Sequence, residues 1–324
     1  MNKLKTKIRL GITMGDPASI GPAIIIKAIH RVKGLADFVI IGDKWAFNKI
    51  PNPKSQIVNC KFIDLNNVPR ENFSFGKVKP EYGRASVEYL DKAIKLIKNN
   101  EIDCLVTCPV SKEAINLAGF KGFSGHTEYL ASATKTKDFA MMLLNKRLKI
   151  SLVTRHVSLK DVPGQLNKDK IHKTIILSYK SLKELFGIKN PRIVVCGLNP
   201  HASDNGVIGK EEKRIIEPAL IRLKRKIKGI SIDGPQPADT AILKAAQKKY
   251  DCVIAMYHDQ ALIPLKISGG YTGVNLTLGL GFVRTSPLHG TAFDIAGKYS
   301  LANPASLIEA IRLAIRCTLN QKKG

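Results

Sequence analysis

Short apolar runs alternate with longer amphipathic stretches over most of the chain. "IRLGITM" reads as a strand, "GDPASIGP" as a turn, and "PAIIIKAIHRVKG" as a helix opened by proline and closed by glycine. After them "DFVIIG" predicts a strand, "RASVEYLDKAIKLIKNN" a helix and "DCLVTCPV" a strand. The pattern continues with strand "LKISLVT", helix "DKIHKTIILSYKSLKELFG", strand "RIVVCGLNP" and helix "EKRIIEPALIRLKRK". Strand "YDCVIAMY" and a closing helix "SLIEAIRLAIRCTL" complete it. Strands separated by helical crossovers belong to a largely parallel sheet with helices on both faces, so the expected class is α/β. Residues 51–80 are rich in loop formers and read as peripheral, and no internal repeat or low-complexity segment interrupts the pattern.

Composition changes this picture little, with one exception. At 324 residues the chain can bury two cores or one large one. The exception is a net charge of +26, which invites a nucleic-acid reading. Yet the lysines are spread along amphipathic helices such as "LDKAIKLIKNN" and "IRLKRKIKG", as solvated faces are, and no nucleic-acid motif accompanies them. No nucleic-acid partner is expected, although a positive field would draw in small anions. The six cysteines are scattered, several in apolar runs and none in a CxxC pair, which predicts buried, reduced thiols in a cytoplasmic protein. The basic start "MNKLKTKIRL" resembles a signal-peptide head, but "GITMGDPASIGP" cannot form the apolar core such a signal needs. No run approaches the roughly 18 apolar residues of a membrane span, so no membrane partner is expected.

Ligands of parallel sheets gather at the carboxyl ends of strands. Thr13–Pro17, Thr107–Lys112, Asn199–His201 and His258–Asp259 all fall at such ends. Three of the seven histidines directly follow apolar runs: His156 in "SLVTRH", His201 in "GLNPH" and His258 in "AMYHD". One histidine so placed is ordinary. Three from separate strands, aimed at one edge, form a candidate three-imidazole metal site with an open coordination position. Asp259 would orient one ring or exchange protons. His30 and His172 sit on amphipathic helices and read as boundary residues, while His126 lies in a Gly/Ser turn that favours an anion.

The stretch "SPLHGTAFDIAGKYSLANPASLIEAIRLA" resembles the adenosine-binding loop and following helix of isopropylmalate and isocitrate dehydrogenases. With "GDPASIGP", "GHTEYLA", "NPHASDNG", "GPQPADT", "YHDQALIPLK" and "GVNLTLGLGFVRTS", the chain as a whole resembles the 4-hydroxythreonine-4-phosphate dehydrogenase family of pyridoxal 5′-phosphate biosynthesis. The resemblance implies a two-domain isopropylmalate-dehydrogenase-like fold. Residues 1–125 plus 265–324 would form the first domain, and 126–264 the second. It also implies a homodimer whose metal site is shared across the subunit interface.

Carried over by motif, the family's metal ligands fall on His156, His201 and His258. Its substrate contacts fall on His126, Thr127, Lys266, Asn275 and Arg284. Its carboxylates of interest fall on Asp239 and Asp259, with Lys266 the candidate proton-exchanging group. The adenosine loop places His289, Gly290, Thr291, Ala292 and Asp294 by the cofactor, NAD with NADP left open. The ion would be zinc, magnesium or cobalt. The implied reaction is oxidation of 4-phosphooxy-L-threonine followed by loss of carbon dioxide to 3-amino-2-oxopropyl phosphate. A sister reaction on 4-phosphorylated threonate or erythronate is the alternative, and a metal-free acyl or phosphoryl transferase of similar fold is a third. Departures from the family pattern fall at Ser19, Ala23, Ser203–Asn205, Gly281 and Leu288, none of them a proposed ligand. No GxGxxG follows the first strand, so a Rossmann fingerprint is absent.

Overall fold

A computed structural model describes residues 7–51, 60–227 and 229–323. The first six residues of the basic start, and 52–59 of the supposed peripheral stretch, lie outside the described residues. The chain begins with β1 (Arg9–Thr13), α1 (Gly21–Val32), β2 (Asp37–Gly42), α2 (Lys44–Asn48), β3 (Cys60–Asp64) and α3 (Pro80–Lys98). It continues through β4 (Cys104–Thr107), α4 (Lys112–Leu117), α5 (His126–Ala133), β5 (Ala140–Leu144), β6 (Lys149–Leu152), α6 (Val162–Gln165) and α7 (Lys168–Glu184). Then come β7 (Arg192–Cys196), α8 (Glu217–Lys226), β8 (Ser231–Gln236), α9 (Ala238–Ala246), β9 (Cys252–Ala255) and α10 (His258–Gly269). β10 (Val274–Leu278), β11 (Val283–Pro287) and α11 (Ala305–Gln321) close the chain.

The fold divides into two compact units, Met1–Lys137 with Leu280–Lys323, and Asp138–Gly279. Both crossings lie further along the chain than the resemblance implies. His126 and Thr127 therefore belong to the first unit, and Lys266 and Asn275 to the second. The reason is packing: α5 lies on α3 of the first unit, and β10 pairs antiparallel with β5 of the second.

In the first unit the strand order is β3-β2-β1-β4-β11, every pair parallel. β4 is buried along its whole length, as a strand covered on both faces must be, and α11 packs on β4, β11 and α1. In the second unit the order is β10-β5-β6-β9-β7-β8. β10, β5 and β6 run antiparallel to their neighbours in turn, and β6, β9, β7 and β8 are parallel. The carboxyl ends of β6, β7 and β9, which lead to His156, His201 and His258, thus point the same way.

The stretch after position 60 is not peripheral. Gly76 N–H donates to the Ala18 carbonyl at 2.8 Å, and a Cβ on Gly297 would meet the Phe75 ring at 2.7 Å. Phe73 joins Trp45, Phe75 and Tyr82 in an aromatic cluster. No described helix is long and apolar enough to cross a membrane.

Candidate active site

In the first unit β11 runs beside β4 with Arg284 opposite Leu105. This register carries the Arg284 side chain into the protein, where it is 1% exposed. Its Nε and Nη2 donate to Thr107 Oγ1 at 3.2 and 2.5 Å, and Nη1 donates to Thr127 Oγ1 at 3.4 Å. Burial pushes the guanidinium down to about 9, and the charge of Glu128 pulls the other way. A buried cation is tolerated only with hydrogen-bond partners or an anion close by.

His126 opens α5 and lies within the electrostatic reach of Arg284. Burial, then the charges of Arg284 and Lys112, push its pKa well below the ordinary value, so the ring is neutral. One ring nitrogen bonds the Cys108 carbonyl, while Nε2 is buried with no partner. The bond to a carbonyl fixes the tautomer and leaves Nε2 a lone-pair acceptor. Thr127 is 2% exposed. His126, Thr127 and Arg284 are therefore brought together as the motifs predict.

Lys112 joins them, and sequence reasoning gave it no role. A Cβ built on Gly125 would stand 3.8 Å from Lys112 Cε and 3.2 Å from Glu128 Oε2. The position of Lys112 in "TCPVSK", at the end of β4, was the available signal.

The proposed cofactor loop follows β11. The Ile20 N–H donates to the Thr291 carbonyl at 2.9 Å, Ala292 is left-handed at φ 46°, and His289 Nδ1 lies 3.0 Å from the Gly290 carbonyl. Asp294 is exposed in a single turn, and Lys298 Nζ donates to its carbonyl at 3.2 Å. Nothing lies within 4 Å of a Cβ built on Gly290. Backbone braced from within and open above is suited to close approach by a dinucleotide.

The second unit holds the three strand-end histidines His156, His201 and His258. A cavity of about 400 Å³ is lined by Arg155, His156, Val157, Leu159, Val162, Tyr257, His258 and Asp259. The His156 and His258 ring centroids are 5.7 Å apart at 46°. His258 Nδ1 lies 2.7 Å from Asp259 Oδ1, which orients the ring and leaves Nε2 to face a ligand. His201 does not line this cavity; it lies on the turn after β7. From His201 to Asn205 every φ is positive, between 45° and 72°. Left-handed backbone costs about 1–2 kcal/mol per residue outside glycine, so this turn is held by its surroundings.

Among the described residues no three His, Cys, Asp or Glu side chains gather as a metal site. Two imidazoles, one oriented by a carboxylate, are the donors a borderline divalent cation takes. The donor chemistry fits, and one chain supplies two of the three rings at one place. Asp239 is exposed in the first turn of α9, away from the cavity lining. Lys266 is exposed in the last turn of α10. Asn275 sits opposite Leu143 on β10, its Oδ1 buried without a partner.

A mostly parallel α/β fold that brings a buried arginine, a neutral buried imidazole and a braced glycine loop to its strand ends is the kind of scaffold on which enzymes acting on small anionic molecules are built. Residues 19–314 match the family described as pyridoxal phosphate biosynthetic protein PdxA, and the chain belongs to that family. It is 44% identical over 320 residues to the 4-hydroxythreonine-4-phosphate dehydrogenase of Sulfurihydrogenibium sp. (strain YO3AOP1), covering 95% of this chain and 98% of that protein. It is 39% identical over 325 residues to the D-threonate 4-phosphate dehydrogenase of Cupriavidus necator (strain ATCC 17699), covering 94% and 95%. A crystal structure of 4-hydroxythreonine-4-phosphate dehydrogenase from Klebsiella pneumoniae superposes with a TM-score of 0.85 at 36% identity, over 98% of this chain and 99% of that one.

Proposed function

We propose that this chain is an NAD-linked, divalent-metal-dependent dehydrogenase that oxidises the secondary alcohol of 4-phosphooxy-L-threonine. The product, 2-amino-3-oxo-4-phosphooxybutanoate, is a β-keto acid that loses carbon dioxide to give 3-amino-2-oxopropyl phosphate. Hydride passes to the nicotinamide and the hydroxyl proton to a base. The observation that carries this reading is the buried Arg284 with Thr107, Thr127 and neutral His126 around it, on a chain whose relatives bear dehydrogenase names.

Arg284 would grip a phosphate or carboxylate with its planar fork, and Thr127 would add a hydroxyl donor. His126 Nε2, an acceptor, suits a hydroxyl or ammonium of the substrate rather than an anionic oxygen. His156 and His258 would hold the cation, with Asp259 keeping the His258 tautomer; His201 would be the third donor, supplied by a second copy if the metal site is shared across a dimer. When bound, such an ion lowers the pKa of an alcohol and stabilises developing negative charge. Lys266 would exchange the proton of the reacting hydroxyl or carbonyl, and Asn275 would offer its unpartnered Oδ1 to substrate. Asp239 would be a second carboxylate of the reaction. The 289–294 loop would carry the adenosine end of the cofactor.

A second reading, oxidation of 4-phospho-D-threonate, is favoured by relatives of that name at nearly the same identity. Purified protein is to be assayed for NADH formation with the two phosphates side by side, before and after chelation. Turnover of the amino acid phosphate, abolished by chelator and restored by metal, is expected. Preference for threonate phosphate would establish the second reading, and indifference to chelation would overturn the metal-dependent mechanism.

A further inference from the structure

Gln260 follows His258 and Asp259 directly, yet nothing in the proposed chemistry uses it. The side chain is 8% exposed, and both ends of its amide are engaged. Oε1 accepts from the Met256 N–H at 2.7 Å, and Nε2 donates to the Gly197 carbonyl at 2.9 Å. Met256 stands two residues before His258, and Gly197 opens the turn that carries His201. The Met256 carbonyl in turn accepts from Thr154 N–H at 3.1 Å and Thr154 Oγ1 at 2.6 Å, two residues before His156. One buried amide is thus bonded to two of the histidine-bearing strand ends directly, and to the third through Met256.

The Gly197 side of this frame is secured again. Glu212, fully buried, accepts from Leu198 N–H and Asn199 N–H at 2.8 Å each and from Asn199 Nδ2 at 2.9 Å. A Cβ on Gly197 would stand 2.9 Å from Ala202 Cα and 3.0 Å from Glu212 Oε1, so the turn closes tightly over the carboxylate. The left-handed run from His201 to Asn205 follows at once. Strained backbone that persists is backbone its neighbours over-determine. Here the neighbours are a buried carboxylate and a buried amide, both satisfied. Ordinary packing would not need polar groups at either place, and each would be expensive to bury unbonded.

We propose that Gln260 is a positioning residue that holds the backbones bearing His201 and His258 in one frame, so that both rings stand placed before any cation arrives. Its consequence for metal affinity rests on the metal-dependent reading above; its geometry does not.

Two variants of the full chain test it. Gln260→Met keeps length and removes both hydrogen bonds. Glu212→Gln loosens only the His201 side. The first readout is the imidazole NMR resonances of histidine-labelled, metal-free protein, with the enclosed His126 ring of the first unit as internal reference for a folded chain. Gln260→Met is expected to move the His201 and His258 resonances and leave His126 in place, whereas Glu212→Gln moves His201 alone. The second readout is Co²⁺ affinity from visible absorption. Loss of a partner that orients a ligand is expected to weaken it about 10–100-fold, with KM for NAD unchanged. Unmoved His201 and His258 resonances in folded Gln260→Met would overturn the proposal. Should the wild-type chain take up no Co²⁺, the metal reading fails, and the resonances alone decide the role of Gln260. Should Gln260→Met fail to fold, Glu212→Gln decides: a His201 resonance that stays put refutes the frame.

Discussion

Replacing Asp16 by asparagine should stabilise the protein at neutral pH and leave it almost unchanged in acid. Asp16 lies in the turn after β1 and is fully buried. Oδ1 accepts from Ala18 N–H at 2.8 Å, while Oδ2 has no partner among the described residues. Burial raises the carboxyl from 3.8 to about 7, and the Ala18 bond opposes the rise only in part. Between those two values the folded chain keeps a proton that the unfolded chain has released. The unfolded state then binds fewer protons, so stability falls as pH rises across that window. Below 3.8 both states hold the proton and no penalty exists; above about 7 the penalty is complete. Roughly three pKa units amount to about 4 kcal/mol.

Asp16→Asn keeps an acceptor for Ala18 and removes the ionisable proton. The difference in stability between the variant and the wild-type chain should therefore grow from near zero to about 4 kcal/mol, or about 10 °C in Tm for a unit of this size. Thermal and urea melts of both chains across the window, compared as differences, cancel every other titrating group. A difference that does not change with pH would refute the reasoning.

Lys112→Gln should raise KM for the phosphorylated substrate about 10-fold, the lower end of a charge-assisted hydrogen bond, without changing KM for NAD; steady-state kinetics at two salt concentrations read both. Gly297→Ala forces a Cβ to 2.7 Å from Phe75 Cδ2 at φ +78° and should destabilise the first unit by about 1–3 kcal/mol while weakening NAD binding; calorimetry and KM for NAD check it. Co-expression of His156→Ala with His201→Ala chains should regain activity that neither has alone if the third imidazole comes from a second copy, and should stay inactive if one chain supplies all three.

Much of the fold was legible because strands such as "DCLVTC" and "CVIA" are apolar and lie between clear helical periods. What was missed lacks such contrast. β8 contains glycine and proline in "SIDGPQ", and β10 and β11 are short and sit in a run crowded with glycine. β5, "AMMLL", is too short to separate from a helix by periodicity. The stretch around Phe75 looked peripheral because its contacts are to loops distant in sequence. In the site, Arg284, His126 and Thr127 were nameable from motifs. Lys112 was flagged only by its strand-end position, and Gln260 not at all, since its meaning lies in which backbone groups it reaches, and a linear pattern does not encode that. The three strand-end histidines were singled out by position, and of them His156 and His258 line one cavity while His201 does not.

The guanidinium of Arg284 has already been stripped of water when the polypeptide folds, so an anion bound beside it would lower the cost of keeping that charge inside. Simple oxyanions ought to relieve it. Preparations kept in phosphate or sulfate should consequently outlast those in chloride buffers at equal ionic strength, and the choice of storage salt becomes a quick report on whether that corner awaits a negatively charged guest.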